Sequence, residues 1–457
     1  MTAATQLRVL ERIDEVPARQ WNALCGDYPF LRHEFLAALE HTGCVSARTG
    51  WTPQHLLLYD AHGLAAAAPL YRKEHSWGEF VFDFAWARAA QQRGLAYYPK
   101  LVCAVPFTPA TGPRLLSRAD LPAAPLHTRL LECMRAEAES GRVSSVHGLF
   151  LDEAARAAHE QAGWLLRRDC HFQWHNHDYR DFEDFLQRFS ADKRKKARRE
   201  RRRVAEQGIE FLTLHGDELD EPTIERVHAF HALTFMRHGH VPYLNRACFS
   251  RIAHGLGARF VVKLARHGPR PIAAAVFLRS RDTLYGRYWG AEEAYHSLHF
   301  ETCYYQGIDY CIEHGLARFE PGTQGEHKLA RGFTPAFTWS AHWIADRPLR
   351  RAIAAYLARE GAAIQAYASE AEAHAPYKSL PRPAAPPEWP APAPSAAPAA
   401  AAVTALTAAT AAPAVTALTV ATAAAAAPTG PAARQAAECS GPGAEDTAAA
   451  RARPGGR

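Results

Sequence analysis

Closely spaced cysteine pairs of the metal-binding or redox type are missing from this sequence of 457 residues, although it contains nine cysteines. None of them stands in a Cys-x-x-Cys motif, which excludes the common zinc-ribbon and thioredoxin-type sites. An odd number of cysteines without metal-binding spacing is typical of reduced thiols in a cytosolic protein. We therefore expect a cytoplasmic protein that holds no metal.

The sequence also lacks an apolar leader and a long hydrophobic run. Residues 1–20, MTAATQLRVLERIDEVPARQ, contain no apolar h-region, so we expect no signal peptide. No run in the first 380 residues has the length and composition of a membrane-spanning helix. Residues 396–427 are uncharged, but they are mostly alanine and threonine broken by prolines. Such a segment partitions only weakly into lipid, so we predict no transmembrane segment.

Bulky apolar residues are scarce in the last part of the chain. From about residue 380 the composition is dominated by alanine and proline, and residues 401–412, AAVTALTAATAA, recur at 413–424 as PAVTALTVATAA. A segment of this composition cannot bury enough apolar surface to offset the entropy lost on folding. We predict that residues 379–457 form a disordered tail.

Positive charge is concentrated in one short segment. The formal net charge is +6 at pH 7, and residues 193–203, KRKKARRERRR, alone hold nine bases and one acid. Such a run indicates a polyphosphate partner: a tRNA backbone, a nucleotide-linked precursor or cofactor phosphates. The alternative is a solvated helix whose charge only aids solubility. The run has no aromatic residue, so base stacking is not expected. The predicted phosphate-binding residues are Lys193, Lys195, Arg198 and Arg202.

The order of predicted elements divides the rest of the chain into two similar halves. Each half has antiparallel strands, then a helix, then at least one further strand. In the second half these are strands near 258–266, 271–280 and 283–291, a helix at 298–314 and a strand at 316–320. We predict an α/β fold with mixed (α+β) sheets, a first domain at 1–177 and a second at 178–378. The second domain includes a basic helical insertion at 181–207.

Residues 287–333 contain the densest group of chemically active side chains. A short strand ends at Glu320 and leads into a glycine-containing loop rich in ionisable groups, an arrangement typical of active sites. Amine acylation needs a base, donors for the oxyanion and an acid for the leaving group. Glu320 or His327 could be the base, and the alternative is a salt-bridge cluster that pins the loop. The predicted catalytic residues are Glu320, His327, Lys328 and Glu301. The predicted substrate-binding residues here are Arg287, Trp289, His299, Tyr304, Gln324 and Arg331.

The first half offers a second group of candidates. Glu79 and Asp83 are four residues apart among aromatic residues in a helix predicted at 79–93, and Lys100 and Arg114 flank a loop rich in proline and glycine. We predict that these four bind substrate, and the alternative is a packing helix with structural ion pairs. Polar residues also alternate along a strand at 171–177. Their side chains would not converge tetrahedrally, so a wet sheet face is favoured over zinc.

Three segments carry a family resemblance: residues 78–116, 171–204 and 288–333. They resemble the FemAB-like family of predicted N-acyltransferases, often described as peptidoglycan biosynthesis or recognition proteins. The resemblance covers residues 5–378 and implies a tandem GNAT fold. It also implies transfer of an acyl or aminoacyl group to an amine of a small molecule or cell-wall precursor. The donor would be acyl-CoA or aminoacyl-tRNA, with no tightly bound cofactor.

One motif departs from coenzyme A enzymes with the GNAT fold. Residues 91–96 match Gln-x-x-Gly-x-Ala, but they follow a predicted helix and enter a strand. A pyrophosphate loop must instead lead into a helix N-terminus, so Gly94 fits a helix C-cap better. The donor therefore stays open. Two alternatives to catalysis remain: a non-catalytic binder of phosphate-bearing cell-envelope precursors, and an RNA-binding protein that uses residues 193–203.

Overall fold

A computed structural model describes residues 5–323 and 325–378. The predicted tail at 379–457 and the predicted site residue Gln324 lie outside the described residues. The strands are β1 (Gln6–Leu10), β2 (Trp51–Pro53), β3 (His55–Asp60), β4 (Gly63–Ala68), β5 (Leu70–Lys73), β6 (Lys100–Cys103), β7 (Leu116–Ser117), β8 (Ser145–Leu149), β9 (Leu165–His175), β10 (Ile209–His215), β11 (Phe260–His267), β12 (Arg270–Arg279), β13 (Thr283–Ala291), β14 (Arg318–Glu320) and β15 (Thr334–Ile344).

The helices follow the apolar periodicity of the sequence. A π-helical segment at Glu301–Tyr305 separates α10 from α11, and Glu326–Arg331 form 3-10 turns. The helices are α1 (Ala18–Cys25), α2 (His33–His41), α3 (Phe84–Gln92), α4 (Ala123–Glu139), α5 (Glu153–Gln161), α6 (Phe182–Gln187), α7 (Ala191–Glu206), α8 (Glu221–Arg237), α9 (Arg246–Leu256), α10 (Leu298–Phe300), α11 (Gln306–Glu313) and α12 (Arg347–Ala373).

The strands form two sheets. A small sheet has the order β1-β3-β4-β7, and an 11-stranded sheet has the order β10-β11-β12-β13-β14-β9-β15-β8-β6-β5-β2. In the second half β11, β12 and β13 are antiparallel, and a helical connection then leads to β14, which is parallel to β13. In the first half β5 and β6 are antiparallel, and β8 is parallel to β6. The predicted mixed α/β fold with a repeated, tandem GNAT plan is therefore confirmed.

Strand β15 joins the two halves of the large sheet. It pairs antiparallel with β9 from Thr334 opposite Gln173 to His342 opposite Leu165, and with β8 on its other side. Helix α12 then packs against β9 and β15. A strand late in the chain thus lies between two strands of the first half, while the boundary at residue 177 stays a prediction.

The predicted helical insertion at 181–207 is divided into two helices rather than one. Asp181 caps α6, since its side chain accepts a hydrogen bond from the Asp184 N–H at 2.7 Å. Phe185 and Phe189 are fully buried, and Ser190 at the N-cap of α7 has non-helical backbone angles, with a ψ of 154°. The chain turns here so that these rings reach the core, which a continuous helix over 181–207 would not allow.

Candidate active site

The two parallel strands of the second half pair only briefly. Thr283 to Tyr285 of β13 lie opposite Arg318 to Glu320 of β14, after which the strands part. The register of β13 also shifts here: Val276 of β12 faces Tyr288 and Phe277 faces Gly286, which leaves Arg287 as the extra residue of a bulge. A bulge removes a peptide group from the hydrogen-bond ladder. The opening between the strands therefore has the carboxyl group of Glu320 on one side. On the other side lies the part of the β13 backbone that the bulge releases from the hydrogen-bond ladder.

Glu320 lies at the point where these strands part. Its Oε1 accepts a hydrogen bond from Gln173 Nε2 at 3.2 Å, and its Oε2 accepts one from the Thr111 N–H at 3.4 Å. Burial raises the pKa of Glu320 to about 7, against the opposing effect of Arg318. A carboxyl group in this state can take up and release a proton at neutral pH.

A small cavity adjoins the Glu320 carboxylate. It leaves about 10 Å³ for the centre of a water-sized sphere, so it holds about one water. We call it the Glu320 cavity, and it is lined by Pro109, His171, Phe172, Gln173, Glu320 and Gly322. Its walls come from a first-half loop, from β9 and from the end of β14, so the site is built by both halves of the chain.

The 106–114 loop covers this opening from the first half. Fully buried Arg114 holds the loop by donating to the carbonyl oxygens of Leu149, Pro113 and Ala110, each at 2.8 Å. Arg287 donates from Nη2 to the Phe107 carbonyl oxygen at 2.5 Å. Two of the three arginines predicted to bind substrate, Arg114 and Arg287, therefore lie beside the opening, with backbone carbonyls as their partners.

A second cluster surrounds His327. Its Nε2 lies 2.8 Å from the Tyr304 hydroxyl, and the ring centroid of His299 is 6.0 Å away. Burial, and then nearby charges, lower the pKa of both His327 and His299 to about 4, so both imidazoles are neutral at pH 7. Trp289 packs against His299 with ring centroids 5.3 Å apart. The sequence-predicted aromatic and imidazole residues of this segment are therefore brought together.

Lys328 links this cluster to the Glu320 cavity. Its Nζ donates to the carbonyl oxygen of Gly322, a cavity residue, at 2.5 Å. The Lys328 side chain is buried, and burial lowers its pKa to about 7. An amine in this state exists in both protonation states near neutral pH, as an acid–base residue must.

Glu301 and Arg331 belong to ion pairs with α7 instead. Glu301 Oε1 lies 3.1 Å from Arg201 Nη2, and Arg331 Nη2 lies 2.9 Å from Glu200 Oε1. Glu200 also accepts a hydrogen bond from the Tyr305 hydroxyl at 2.7 Å. These pairs fix α7 against the π-helical segment. The structure does not bring Glu301 to Glu320, and the ion-paired face of α7 was not foreseen.

Glu79, Asp83 and Lys100 form a separate buried network in the first half. Helix α3 begins only at Phe84, so the two acids do not form the predicted helical stripe. They meet on Lys100 instead, whose Nζ lies 2.8 Å from Glu79 Oε2 and 2.5 Å from Asp83 Oδ2. Burial raises the pKa of Glu79 to about 7. Burial opposes ionisation of Asp83 too, but the Lys100 ammonium holds its pKa below the ordinary value.

The four predicted phosphate-binding residues are all exposed on α7. Arg198 pairs with Glu183 at 2.5 Å, and Arg202 pairs with Glu206 at 3.4 Å. Within residues 5–323 and 325–378, Lys193 and Lys195 make no ion pair. The inward face carries Ala197, Glu200 and Val204, so the charge covers the outer face of α7 rather than its whole circumference.

Two residues of the Glu320 site were not recognised as site residues in the sequence. Gln173 is on the alternating strand 171–177, which was interpreted as a wet sheet face. It could have been found, because the same alternation places His171 and Gln173 together. Thr111 contributes only its backbone N–H, for which a sequence carries no signal. In the described part of the chain, no three His, Cys, Asp or Glu side chains converge as a metal ion would need.

With the fold and the site described, the chain can be compared with known proteins. It matches the FemAB-like family, described as peptidoglycan biosynthesis/recognition, over residues 12–379, and it belongs to that family. No curated protein matches the chain. No helix of the described residues is long and apolar enough to cross a membrane.

Several solved structures resemble the chain at low sequence identity. The crystal structure of FemX has a TM-score of 0.46 at 11% identity and covers 76% of this chain and 100% of that one. The C-terminal domain of a putative lysylphosphatidylglycerol synthetase from Agrobacterium fabrum has a TM-score of 0.45 at 10% identity, covering 76% and 96%. A tandem GNAT protein of the clavulanic acid biosynthesis pathway has a TM-score of 0.39 at 10% identity, covering 75% and 99%.

Proposed function

We propose that this protein is an N-acyltransferase that moves an acyl or aminoacyl group onto an amine of a cell-envelope precursor, with Glu320 as the general base. The observation that carries the proposal is the position of Glu320, at the point where β13 and β14 part and beside the β13 bulge. Membership of a peptidoglycan biosynthesis/recognition family supports the substrate class. The pKa of Glu320 near 7 suits a base that works at neutral pH.

The proposed reaction uses groups on both sides of the opening. Glu320 takes a proton from the substrate ammonium, and the neutral amine attacks the acyl carbonyl carbon. Backbone N–H groups freed by the bulge at Arg287 stabilise the tetrahedral oxyanion. As the intermediate collapses, the bond to the donor's sulfur or oxygen breaks and the leaving group takes a proton from an acid. The extra proton that the attacking nitrogen still carries then passes to the conjugate base of that acid. Lys328 in its ammonium form is the proposed acid, because it contacts Gly322 of the Glu320 cavity.

The donor in this proposal is either acyl-CoA or aminoacyl-tRNA, neither of them tightly bound. Both carry phosphates, and the outer face of α7 offers Lys193 and Lys195 without ionic partners among the described residues. Arg198 and Arg202 extend the same basic segment. The inner face of α7 is linked to the His327 cluster, because Glu200 pairs with Arg331 and Arg331 donates to the His327 carbonyl oxygen. A phosphate chain bound to α7 would therefore lie on the second half of the chain.

Replacing Glu320 tests the proposed base. We expect Glu320→Gln to lower kcat/KM by about 10²–10⁴ while the substrate still binds, because only proton transfer is lost. The wild-type kcat/KM should rise with pH up to about 7, since Glu320 must be deprotonated, and fall at higher pH, since Lys328 must keep its proton; the rise should vanish in the variant. His327→Gln is the companion variant for the second candidate base. Undiminished turnover in both variants would refute the proposed site.

A non-catalytic binder and an RNA-binding protein are the alternatives, and α7 makes the second testable. If RNA binds the outer face, replacing Lys195, Arg198 and Arg202 by Gln should flatten the dependence of log K on log salt. The slope should fall by about 0.7–0.9 for each phosphate that the variant no longer neutralises. No retention of RNA at low salt would exclude this alternative. Ligand binding without turnover, for acyl-CoA and aminoacyl-tRNA alike, would favour the binder.

A further inference from the structure

Exposed apolar side chains are unevenly distributed over the described surface. The large hydrophobic residues that are exposed are Leu7, Val9, Trp77, Phe82, Met236 and Val241. Leu7 and Val9 lie on β1, whereas the other four lie on the segments 77–84 and 236–243. Trp77 is 48% exposed and Val241 is 82% exposed. Apolar groups concentrated in this way mark an interaction surface rather than random exposure.

The two segments lie side by side and next to the proposed active site. The rings of Phe80 and Tyr243 are 6.2 Å apart, and Tyr243 stacks on Phe107 of the 106–114 loop at 4.8 Å. On the first segment Phe84 packs against both Trp77 and Phe82, with centroids 5.4 and 6.0 Å away. We call residues 77–84 and 236–243 the aromatic rim. It borders the loop that covers the opening at Glu320.

The outer side of the aromatic rim carries one positive charge, that of Arg237, and no exposed acid. Residues 236–243 read MRHGHVPY and contain no acid, and Arg237, His238 and His240 are exposed there. The acids of residues 77–84 are Glu79 and Asp83, and both are buried on Lys100. Arg237 donates to the backbone carbonyl oxygen of Glu292, whose carboxylate is paired with Arg226 and Arg270 instead.

We propose that the aromatic rim docks this protein onto an anionic lipid bilayer, with Trp77, Phe82, Met236 and Val241 entering the headgroup region. Tryptophan and phenylalanine favour the boundary between headgroups and acyl chains, and neighbouring basic side chains favour anionic lipid. Docking in this way turns the 106–114 loop toward the bilayer surface. The inference concerns binding alone, so it does not depend on the proposed reaction.

Sedimentation with lipid vesicles tests the proposal on the full chain. We expect binding to equimolar phosphatidylglycerol–phosphatidylcholine vesicles at about 0.1 M salt, where screening is moderate. Binding to pure phosphatidylcholine vesicles should be at least tenfold weaker. Trp77→Ser with Phe82→Ser, and separately Met236→Ser with Val241→Ser, should each weaken binding at least tenfold. The matched control is Leu7→Ser with Val9→Ser, which removes exposed apolar residues elsewhere and should bind as the wild type does.

Further variants separate the aromatic rim from the basic helix. Arg237→Gln should weaken binding to anionic vesicles but not affect the residual binding to neutral ones. Vesicles should shift the tryptophan emission of the wild type to the blue, and Trp77→Phe should remove the shift while binding persists. A variant is included in the comparison only when circular dichroism shows that it melts at the same temperature as the wild type.

Four outcomes would overturn the proposal. The first is no binding to anionic vesicles, and the second is binding unchanged by both rim variants. The third is a loss of binding only when Lys195 and Arg199 on α7 are replaced by Gln. The fourth is lipid-free self-association that the rim variants abolish, because the surface would then be a contact between two copies of this chain.

Discussion

The Glu320 carboxyl group, the proposed base, lowers the stability of the folded protein at the pH where the proposal needs it ionised. The folded protein keeps its proton up to about pH 7, whereas the unfolded chain releases it near the ordinary value of 4.5. Between these pH values the folded state binds more protons than the unfolded chain does. The contribution of this group to the free energy of unfolding is therefore largest at low pH and falls as the pH rises. If Glu320 is the base, as proposed, burial of its carboxylate is a stability cost that accompanies its function.

Glu320→Gln should accordingly stabilise the protein at high pH. Glutamine cannot ionise, so we expect the free energy of unfolding at pH 8 to rise by about 1–3 kcal/mol relative to wild type. The gain should shrink toward zero at pH 4.5, where the wild-type carboxyl is neutral in the folded state and half-neutral in the unfolded chain. Urea titrations at the two pH values measure the difference. Equal effects at both would show that Glu320 is ordinarily solvated.

The buried network around Lys100 makes a second prediction at the residue scale. Lys100→Met leaves Asp83 ionised without its partner, and we expect a loss of about 3–5 kcal/mol. Glu79→Gln should cost about 1 kcal/mol or less, because the pKa of Glu79 near 7 makes it partly neutral already. Urea unfolding at pH 7 compares the two variants. A larger loss for Glu79→Gln would contradict the assignment of the charge to Asp83.

At the scale of elements, β13 depends on the close approach of α8. A Cβ atom on Gly290 would lie 1.8 Å from the Phe230 carbonyl oxygen, which is backbone and cannot move aside. Helix α8 packs against β13 along its length, so only glycine permits the contact. The close packing of β13 against α8 therefore requires that residue 290 has no side chain.

Gly290→Ala should therefore be strongly destabilising. We expect a loss of several kcal/mol, since overpacking a rigid contact forces the backbone apart. Gly361→Ala on α12 is the matched control. The nearest atom to its Cβ would be Arg168 Nε at 3.5 Å, and alanine favours a helix by about 1 kcal/mol. Thermal melting should fall for the first variant and hold or rise for the second.

The apolar periodicity of the sequence predicted the long helices and strands well. The bounds of the other elements depend on local contacts. Strand β13 has the bounds predicted from its apolar spacing, and β12 differs from its predicted bounds by one residue at each end. The predicted helix at 79–93 starts late, because Phe80 adopts a positive φ of 60° and Asp83 turns inward to Lys100. Helix α7 separates from α6 because aromatic packing outweighs helix propensity. These outcomes depend on tertiary contacts, which no spacing reveals.

The site was predicted unevenly for a related reason. Glu320, His327 and Lys328 could be selected because they follow a short strand in one segment of sequence. Gln173 and the Thr111 N–H reach Glu320 from 147 and 209 residues away. A backbone donor from the other half of a chain leaves no trace in residue types.

At the scale of the whole molecule, two truncations make contrasting predictions. A chain ending at Lys378 retains every described element, and we expect its melting temperature to equal that of the full chain. A chain ending at Gly332 loses β15 and α12, which leaves β8 and β9 without their common partner. We expect no cooperative unfolding transition from it. A large fall in melting temperature for the first truncation would show that residues 379–457 support the fold.

The position of β15 has a consequence for synthesis of the chain on the ribosome. Strands β8 and β9 emerge early, but the strand that belongs between them follows ~160 residues later, roughly 10–30 s at bacterial rates of elongation. During that interval two strand edges of a nascent chain lack their partner and are open to wrong pairing. The first half must therefore wait until β15 has been synthesised. We expect its release from chaperones to coincide with the appearance of residues 334–344.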